Sequence, residues 1–570
     1  HSDYHCVSLP AKVFCQRSYA WLCEGLISFI NEQEECTRRT VIEGGLAMIL
    51  KKMGLMMAAG VLAISTITGC NSSSTGDSTA SGQTSANEDG TVDIEVWGTN
   101  IGYKPITKGS KLYEFYKEKL GVGVIHPYVE WNGGTNYLNQ LNLKIAANEM
   151  PDLFIPQQGI EDSLAKNGAI ADLTDLLPKY APNVWEAIPQ EMWDVVKAND
   201  PTGQGRIYYI PGVVEYGRYA GMIRQDWLDK LGLTMPKTQD EYVKVLEAFR
   251  DKDPNGNGQK NELPTGGREQ ARWMDHLFAM YGVAMFEGYP EWDIYDGELT
   301  YSAVTPNMRA ALEFAAKLYK EGLIDKESLL NTKDKWDGKI QSDKVGNYFH
   351  WVEHGNLILE NLEKNTGVKA DFTVLPVPEV EGYEGFYTMK RFAPPQWVIK
   401  NNKDENKLTA TLKLLNNMYD KKNWKDLFLG VEGMHYEMRD GKAVKLPDDK
   451  SSQENQLLNP YSTLATLDFT IDLFNSTSSE DSKWAIDQVT RNMEEAQKYA
   501  KVIAGDGMPA SVYDSFPDIN NRTLYVEYAT KIILGQYPIE KFDEFVDKWN
   551  TSGGEEVTKR AREWYAKVQK

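Results

Sequence analysis

The stretch RIYYIPGVVEYGRYAGMIRQDWLDKLGL, residues 206–233, decides the reading of this chain. Arg206 to Val214 runs through Tyr208-Tyr209-Ile210-Pro211 and predicts a strand. Tyr219 to Arg224 predicts a second strand close behind it. Gln225 to Leu231 reads as a helical turn, and Gly232 stops it.

Working outward, Thr91 to Trp97 alternates apolar and polar residues, as a half-buried strand does. It runs into the loop Gly98-Thr99-Asn100. Ser110 to Leu120 predicts a helix, Val122 to Glu130 a strand, Tyr137 to Asn148 a helix halted by Pro151, and Asp152 to Ile155 a short strand. Strands alternating with helices imply an α/β fold with a mostly parallel sheet. Downstream, Thr238 to Arg250 predicts a helix capped by Thr238, and Asn307 to Glu321 one stopped by Gly322. Val345 to Trp351 and Ala370 to Pro376 predict strands, and Lys403 to Tyr419 a helix. Helical patterns at Ser482 to Ala500, Arg522 to Leu534, Ile539 to Asn550 and Glu555 to Gln569 make the last quarter mainly α.

The segment KKMGLMMAAGVLAISTITGC, residues 51–70, has two lysines, a short apolar run and small residues. That is the layout of an export signal, and the run is short for a membrane span of roughly 20 residues. Ile67-Thr68-Gly69-Cys70 resembles the lipobox of bacterial lipoproteins. Residues 48–69 are then a signal peptide, and Cys70 carries a lipid on the outer face of the cell membrane. The alternatives are an uncleaved anchor or a buried helix. Residues 70–90, rich in Ser, Thr and Gly, read as a flexible tether. Residues 1–47 fit export poorly. Met48 is a well-placed start, and the codons of Glu43-Gly44-Gly45 can spell a ribosome-binding sequence before it. The stretch reads as an upstream leader or an unstructured extension. Four of the five cysteines fall in it and the fifth is Cys70, so residues 71–570 have no disulfide and no thiolate metal site.

The net charge of −20, with no Lys/Arg block after Lys52, excludes nucleic acid as a partner. The 15 Trp and 30 Tyr suit sugar rings, whose apolar C–H faces lie on aromatic planes.

These pieces together resemble the extracellular solute-binding lipoproteins that deliver oligosaccharides to ABC importers, in particular the LplA-like group and the alginate-binding proteins. The resemblance rests on Ile207 to Pro211 followed by Gly221 to Leu233, on Leu318 to Asp325, on Gly430 to Tyr436 and on Phe542 to Trp549. It implies a two-lobe periplasmic-binding-protein-like fold of class II type. The lobes are joined by hinge crossings near Pro211 to Tyr216 and Thr373 to Pro378, and the C-terminal region is helical. Lobe 1 is expected at 91–212 plus about 377–440, and lobe 2 at 213–376 plus about 441–570. An oligosaccharide ligand, permease subunits, a monomeric state and membrane contact through the lipid anchor only are implied as well.

The loop DPNGNGQKNE, residues 253–262, places oxygens of Asp253, Asn255, Asn257, Gln259 and Asn261 on alternate residues, with Gly258 at the turn. Hard cations want such a loop. The acid expected at the twelfth position is absent, because Pro264 stands there and Glu262 precedes it. The alginate-binding relatives have a similar shortened loop, which implies a structural Ca2+. A polar turn without metal is the alternative.

Cleft residues should stand on loops at strand carboxyl ends. That rule and the resemblance nominate Trp97, Trp131, Asn132, Glu215, Tyr216, Arg218 and Trp351. Arg272, Trp273, Arg391, Trp397, His435 and Tyr436 are secondary candidates. Plain packing is the alternative for each aromatic. The rival function is an exported glycoside-active enzyme, which needs a pair of carboxylates that no motif singles out. The sequence has no G-x-S-x-G and no H-E-x-x-H, and its histidines are scattered. A binder without catalysis is the favoured reading. A peptide-binding surface lipoprotein is a third.

Overall fold

The computed structural model describes residues 86–569, save 99–101, 132–134, 158, 440, 448, 457 and 460–462. The expected leader, the signal segment, Cys70 and most of the tether lie outside the described residues, as does Asn132. The folded unit begins slightly earlier than the sequence implies. Ala86 bridges Val92, and the Asn87 side-chain amide donates to Asp93 Oδ1 at 3.0 Å, so residues 86–90 turn back onto the first strand.

Two sheets organise the molecule. The first has the order Leu464–Thr466, Ile210–Glu215, Phe392–Ile399, Leu153–Phe154, Asp93–Trp97, Gly123–Ile125. The second has the order Phe372–Val374, Tyr219–Arg224, Val345–Trp351, Leu263–Thr265. Both are mixed, where a mostly parallel sheet was expected. Phe392–Ile399 runs antiparallel to both of its neighbours, and Tyr219–Arg224 is antiparallel to Val345–Trp351 and Phe372–Val374. For Phe392–Ile399 the reason is topological: the chain comes back to the first sheet from the second, with no short helical crossover inside the first to make the strand parallel.

The chain passes between the sheets at Tyr216–Arg218, between the strands Ile210–Glu215 and Tyr219–Arg224. It returns between Phe372–Val374 and Phe392–Ile399; on this pass Tyr387–Met389 pairs in parallel with Ala500–Val502. It leaves again after Leu464–Thr466, a strand of the first sheet in the stretch assigned from sequence to lobe 2.

Each lobe has its own core. The first packs Ile94, Val96, Leu153, Phe154, Val398 and Ile399 against Leu414, Leu415 and Trp424. The second lobe joins two clusters. In one, Tyr348, Phe349 and Phe372 meet Val489 and Met493. In the other, Trp227, Phe249, Met308 and Leu312 meet the C-terminal helices through Tyr525, Phe545 and Trp564. Every residue of Tyr219–Arg224 is buried, as a central strand covered on both faces requires. Gly346 permits that packing: a Cβ there would lie 2.3 Å from the Phe249 ring.

Helix starts follow capping chemistry. Ser110, Thr238 and Thr305 accept from the N–H groups of Tyr113, Glu241 and Met308, and Pro306 occupies the first turn behind Thr305. The last quarter is mostly helical, with Thr523–Ile533, Lys541–Trp549 and Glu555–Val568 separated by short turns and by a kink at Gly553 (φ 119°).

Candidate functional site

The crossing at Tyr216–Arg218 gathers charged and aromatic side chains from distant parts of the chain. The Tyr216 hydroxyl donates to Glu353 Oε1 at 2.5 Å, and Arg218 Nε donates to the same oxygen at 2.9 Å. The Arg218 guanidinium lies 5.2 Å from the centroid of the Trp351 ring. Trp351 Nε1 donates to the Tyr219 hydroxyl, which in turn donates to Glu287. Phe286 meets Tyr219 edge-on at 4.9 Å. Trp351 is thus half-buried and fixed at its polar end, so its ring is held in a set plane. Burial, then the charge of Glu287, pushes the Tyr219 hydroxyl well above its ordinary pKa, so it stays a donor.

Glu215 and Arg391 form the second part. Arg391 Nε and Nη2 donate to the two carboxylate oxygens of Glu215 at 2.9 and 2.8 Å, and Nη1 donates to Glu191 at 2.8 Å. The backbone N–H of Arg391 donates to Asp506 at 2.6 Å.

The structure brings together Glu215, Tyr216, Arg218, Trp351 and Arg391 at or beside the crossings. Glu353, Tyr219 and Glu287 join them, and Lys390 stands 5.2 Å over the Phe286 ring, although sequence reading did not single these out. Position was the available signal, since Glu353 follows Trp351 by two residues and Tyr219 follows Arg218 directly.

Other candidates are placed differently. Trp97 ends its strand as expected but is buried, its Nε1 donating to Glu95 at 2.6 Å. Trp131 is half-buried with its ring 5.5 Å from Tyr137. Trp273 is buried and stacks on His350 at 5.3 Å, with Arg268 at 4.1 Å over its ring. Arg272 donates to Glu269 at 3.0 Å. Trp397 is 1 % exposed inside the first core, where its indole packs and does not face a ligand. That placement follows from its strand, Phe392–Ile399, which is central in the first sheet. His435 is buried, with Nδ1 accepting from the Val431 N–H at 2.9 Å and Nε2 3.1 Å from the Glu454 carbonyl, so it ties a loop. Tyr436 begins a small hairpin with Lys445.

The loop 253–262 winds around its own oxygens. Asp253 Oδ1 accepts from Gly256 and Asn257 N–H at 3.0 and 3.1 Å, and Oδ2 accepts from Gly258 N–H at 3.0 Å. Asn255 Oδ1 and Asn257 Oδ1 accept from the backbone two residues on, at 3.0 and 2.8 Å. Asn261 Oδ1 lies 3.2 Å from Asn257 Nδ2. Glu262 is buried, its Oε1 has no hydrogen-bond partner, and burial together with the facing Asp253 carboxyl raises its pKa. Among the described residues no group of three or more His, Cys, Asp or Glu converges as a metal centre. This loop differs from such a centre in offering two carboxylates and several amide oxygens. An orphaned buried carboxylate oxygen beside a second acid is what a divalent cation would satisfy, so the residues fit Ca2+.

Residues 111–434 match the sequence profile of the bacterial extracellular solute-binding proteins. The chain belongs to that family. The fructooligosaccharide ABC transporter substrate-binding protein FusA of Streptococcus pneumoniae is 32 % identical over 271 residues, which span 44 % of this chain and 47 % of FusA. Lipoprotein LipO of Bacillus subtilis is 27 % identical over 456 residues, 77 % of this chain and 86 % of LipO. Among solved structures, an extracellular solute-binding protein from Bifidobacterium longum subsp. infantis superposes with a TM-score of 0.64 at 20 % identity, covering 85 % of this chain and 100 % of that one. FusA, solved as an EF-hand mutant with fructo-nystose, superposes with a TM-score of 0.56 at 21 % identity, covering 84 % of this chain and 99 % of FusA. The two-lobe fold is therefore that of a solute-binding protein, and the family works outside the cytoplasm. No helix among the described residues is long and apolar enough to cross a membrane.

Proposed function

We propose that this protein captures an oligosaccharide between its lobes at the chain crossings and delivers it to the permease of an ABC importer, without catalysis. The observation that carries this reading is the held Trp351 ring, anchored through Tyr219 and Glu287 with Arg218 beside it. An oriented aromatic plane next to directional donors is what sugar rings and hydroxyls need. Closure is a hinge motion of the lobes about the ligand. FusA, named for fructooligosaccharide transport, supports the ligand class, and LipO supports a lipoprotein. In this reading Cys70 carries the lipid, the chain acts as a monomer, and the lobes divide at Tyr216–Arg218, between Val374 and Phe392, and after Thr466.

We also propose that the loop 253–262 holds a structural Ca2+ through Asp253, Asn255, Asn257, Gln259, Asn261 and Glu262. The orphaned Glu262 oxygen and the EF-hand named in FusA support it. The ion would neutralise the two facing acids and brace the loop in the second lobe.

Thermal shift across an oligosaccharide panel, followed by calorimetry and product analysis, tests the function. Saccharide-specific stabilisation with the ligand recovered intact is the expected result. Cleaved product would establish the enzyme reading. Stabilisation by peptides alone would establish the third.

A further inference from the structure

We propose that the cleft takes a neutral oligosaccharide and rejects polyuronates. This rests on the reading of the crossings as an oligosaccharide site and narrows its ligand class. To bind a uronate, a site presents an Arg or Lys whose donors are open to a second carboxylate. Here the protein supplies its own carboxylates. Arg391 gives Nε and Nη2 to Glu215 and Nη1 to Glu191, so all three nitrogens already face oxygen. Arg218 gives Nε to Glu353. Lys390 stands 3.3 Å from Glu291, a buried carboxylate that also takes Arg522 at 3.1 Å. Glu287, beside Trp351 through the Tyr219 hydroxyl, adds one more acid to the wall.

Each of these cations thus already meets a carboxylate of the protein itself. A uronate would have to displace a chelated glutamate or bring further negative charge into a partly desolvated cleft, and both cost free energy. The whole chain, at −20, repels polyanions at long range as well. Neutral sugars meet none of these terms. They use the aromatic face and accept or donate hydrogen bonds at the outer edges of the same Glu and Arg groups.

Calorimetry on the full chain, with a neutral oligofructoside or oligoglucoside set and an oligogalacturonide set of equal length, decides the matter. The expected result is binding from a neutral set, with affinity changing less than about twofold between low and high salt, and uronate binding at least about a hundredfold weaker. Tight uronate binding that weakens steeply with salt would overturn the inference and leave the oligosaccharide reading standing. If neither set binds while peptides do, the oligosaccharide reading itself falls and the inference with it. As a second measurement, Glu215→Gln frees one edge of Arg391 and should raise uronate affinity at least about fivefold; no change would count against the charge argument.

Discussion

The side-chain amide of Gln497 pairs with the backbone of Gly217 through two hydrogen bonds. Its Oε1 accepts from the Gly217 N–H at 2.8 Å, and its Nε2 donates to the Gly217 carbonyl at 3.1 Å. A side chain from the end of helix Lys483–Ala496 thereby completes the backbone pairing of the crossing, where the chain has left one sheet and not yet joined the other. Gly217 has no Cβ, and one there would lie 2.4 Å from the Ala500 Cβ.

That contact predicts two phenotypes. Gly217→Ala forces the crossing away from Ala500 and should lower both the melting temperature and sugar affinity. Gln497→Ala leaves two backbone groups without partners and should cost roughly 1–3 kcal/mol in chemical denaturation. Wild-type melting in both variants would show that the crossing tolerates slack.

Trp351 and Trp397 should separate binding from stability. Trp351→Ala removes the held ring and should weaken the sugar about tenfold or more, which is roughly 1.4 kcal/mol. Tyr219→Phe keeps its packing but releases the indole N–H, so its loss should be smaller. Trp397→Phe should cost about 1–2 kcal/mol of stability from the first core and leave affinity within about twofold. Calorimetry with urea denaturation checks all three, and a large affinity loss in Trp397→Phe would return that residue to the site.

Removing calcium should lower the melting temperature by a few degrees, since a ligand bound only to the folded state stabilises it by mass action. Asp253→Asn should abolish the difference between chelator-treated and calcium-loaded protein. Identical melting of wild type in both conditions would dismiss the ion.

Asp275 gives a pH dependence. Burial pushes its carboxyl up to about 7 from 3.8, opposed by the Gly288 N–H that donates to Oδ2 at 3.1 Å. Between those values the folded chain keeps a proton that the unfolded chain has lost. Stability therefore falls as pH rises from about 4 to about 7, and the penalty, on the order of a few kcal/mol, is complete above that. Asp275→Asn cannot ionise, so it should gain on wild type at about pH 8 relative to about pH 5. Equal differences at both values in urea denaturation would refute this.

Local structure was legible where a chemical signal marked it. Tyr219–Arg224 and Val345–Trp351 were read with their observed limits because aromatic and branched residues recur along both. Thr238 was readable as a cap. Val122 to Glu130 shrank to Gly123–Ile125, which pair with Asp93–Glu95, because beyond them only His126 is paired, in an isolated bridge to Ile106. Sheet direction was not readable, since a strand carries no local mark of which lobe it returns from. The site was legible in part for the same reason. Loop position nominated Trp351, Arg218 and Glu215, which stand at or beside the first crossing. It could not tell a half-buried indole from Trp397 in the core, nor find Gln497, which acts across 280 residues of chain.

The first sheet draws its members from Asp93–Trp97 at one extreme and Leu464–Thr466 at the other, with Phe392–Ile399 wedged between earlier strands. During synthesis the leading strands emerge long before the one that must be inserted between them. The nascent first lobe therefore waits, with its middle gap open and apolar, until most of the polypeptide has emerged. A chain stalled short of residue 392 should therefore be the form most exposed to proteolysis.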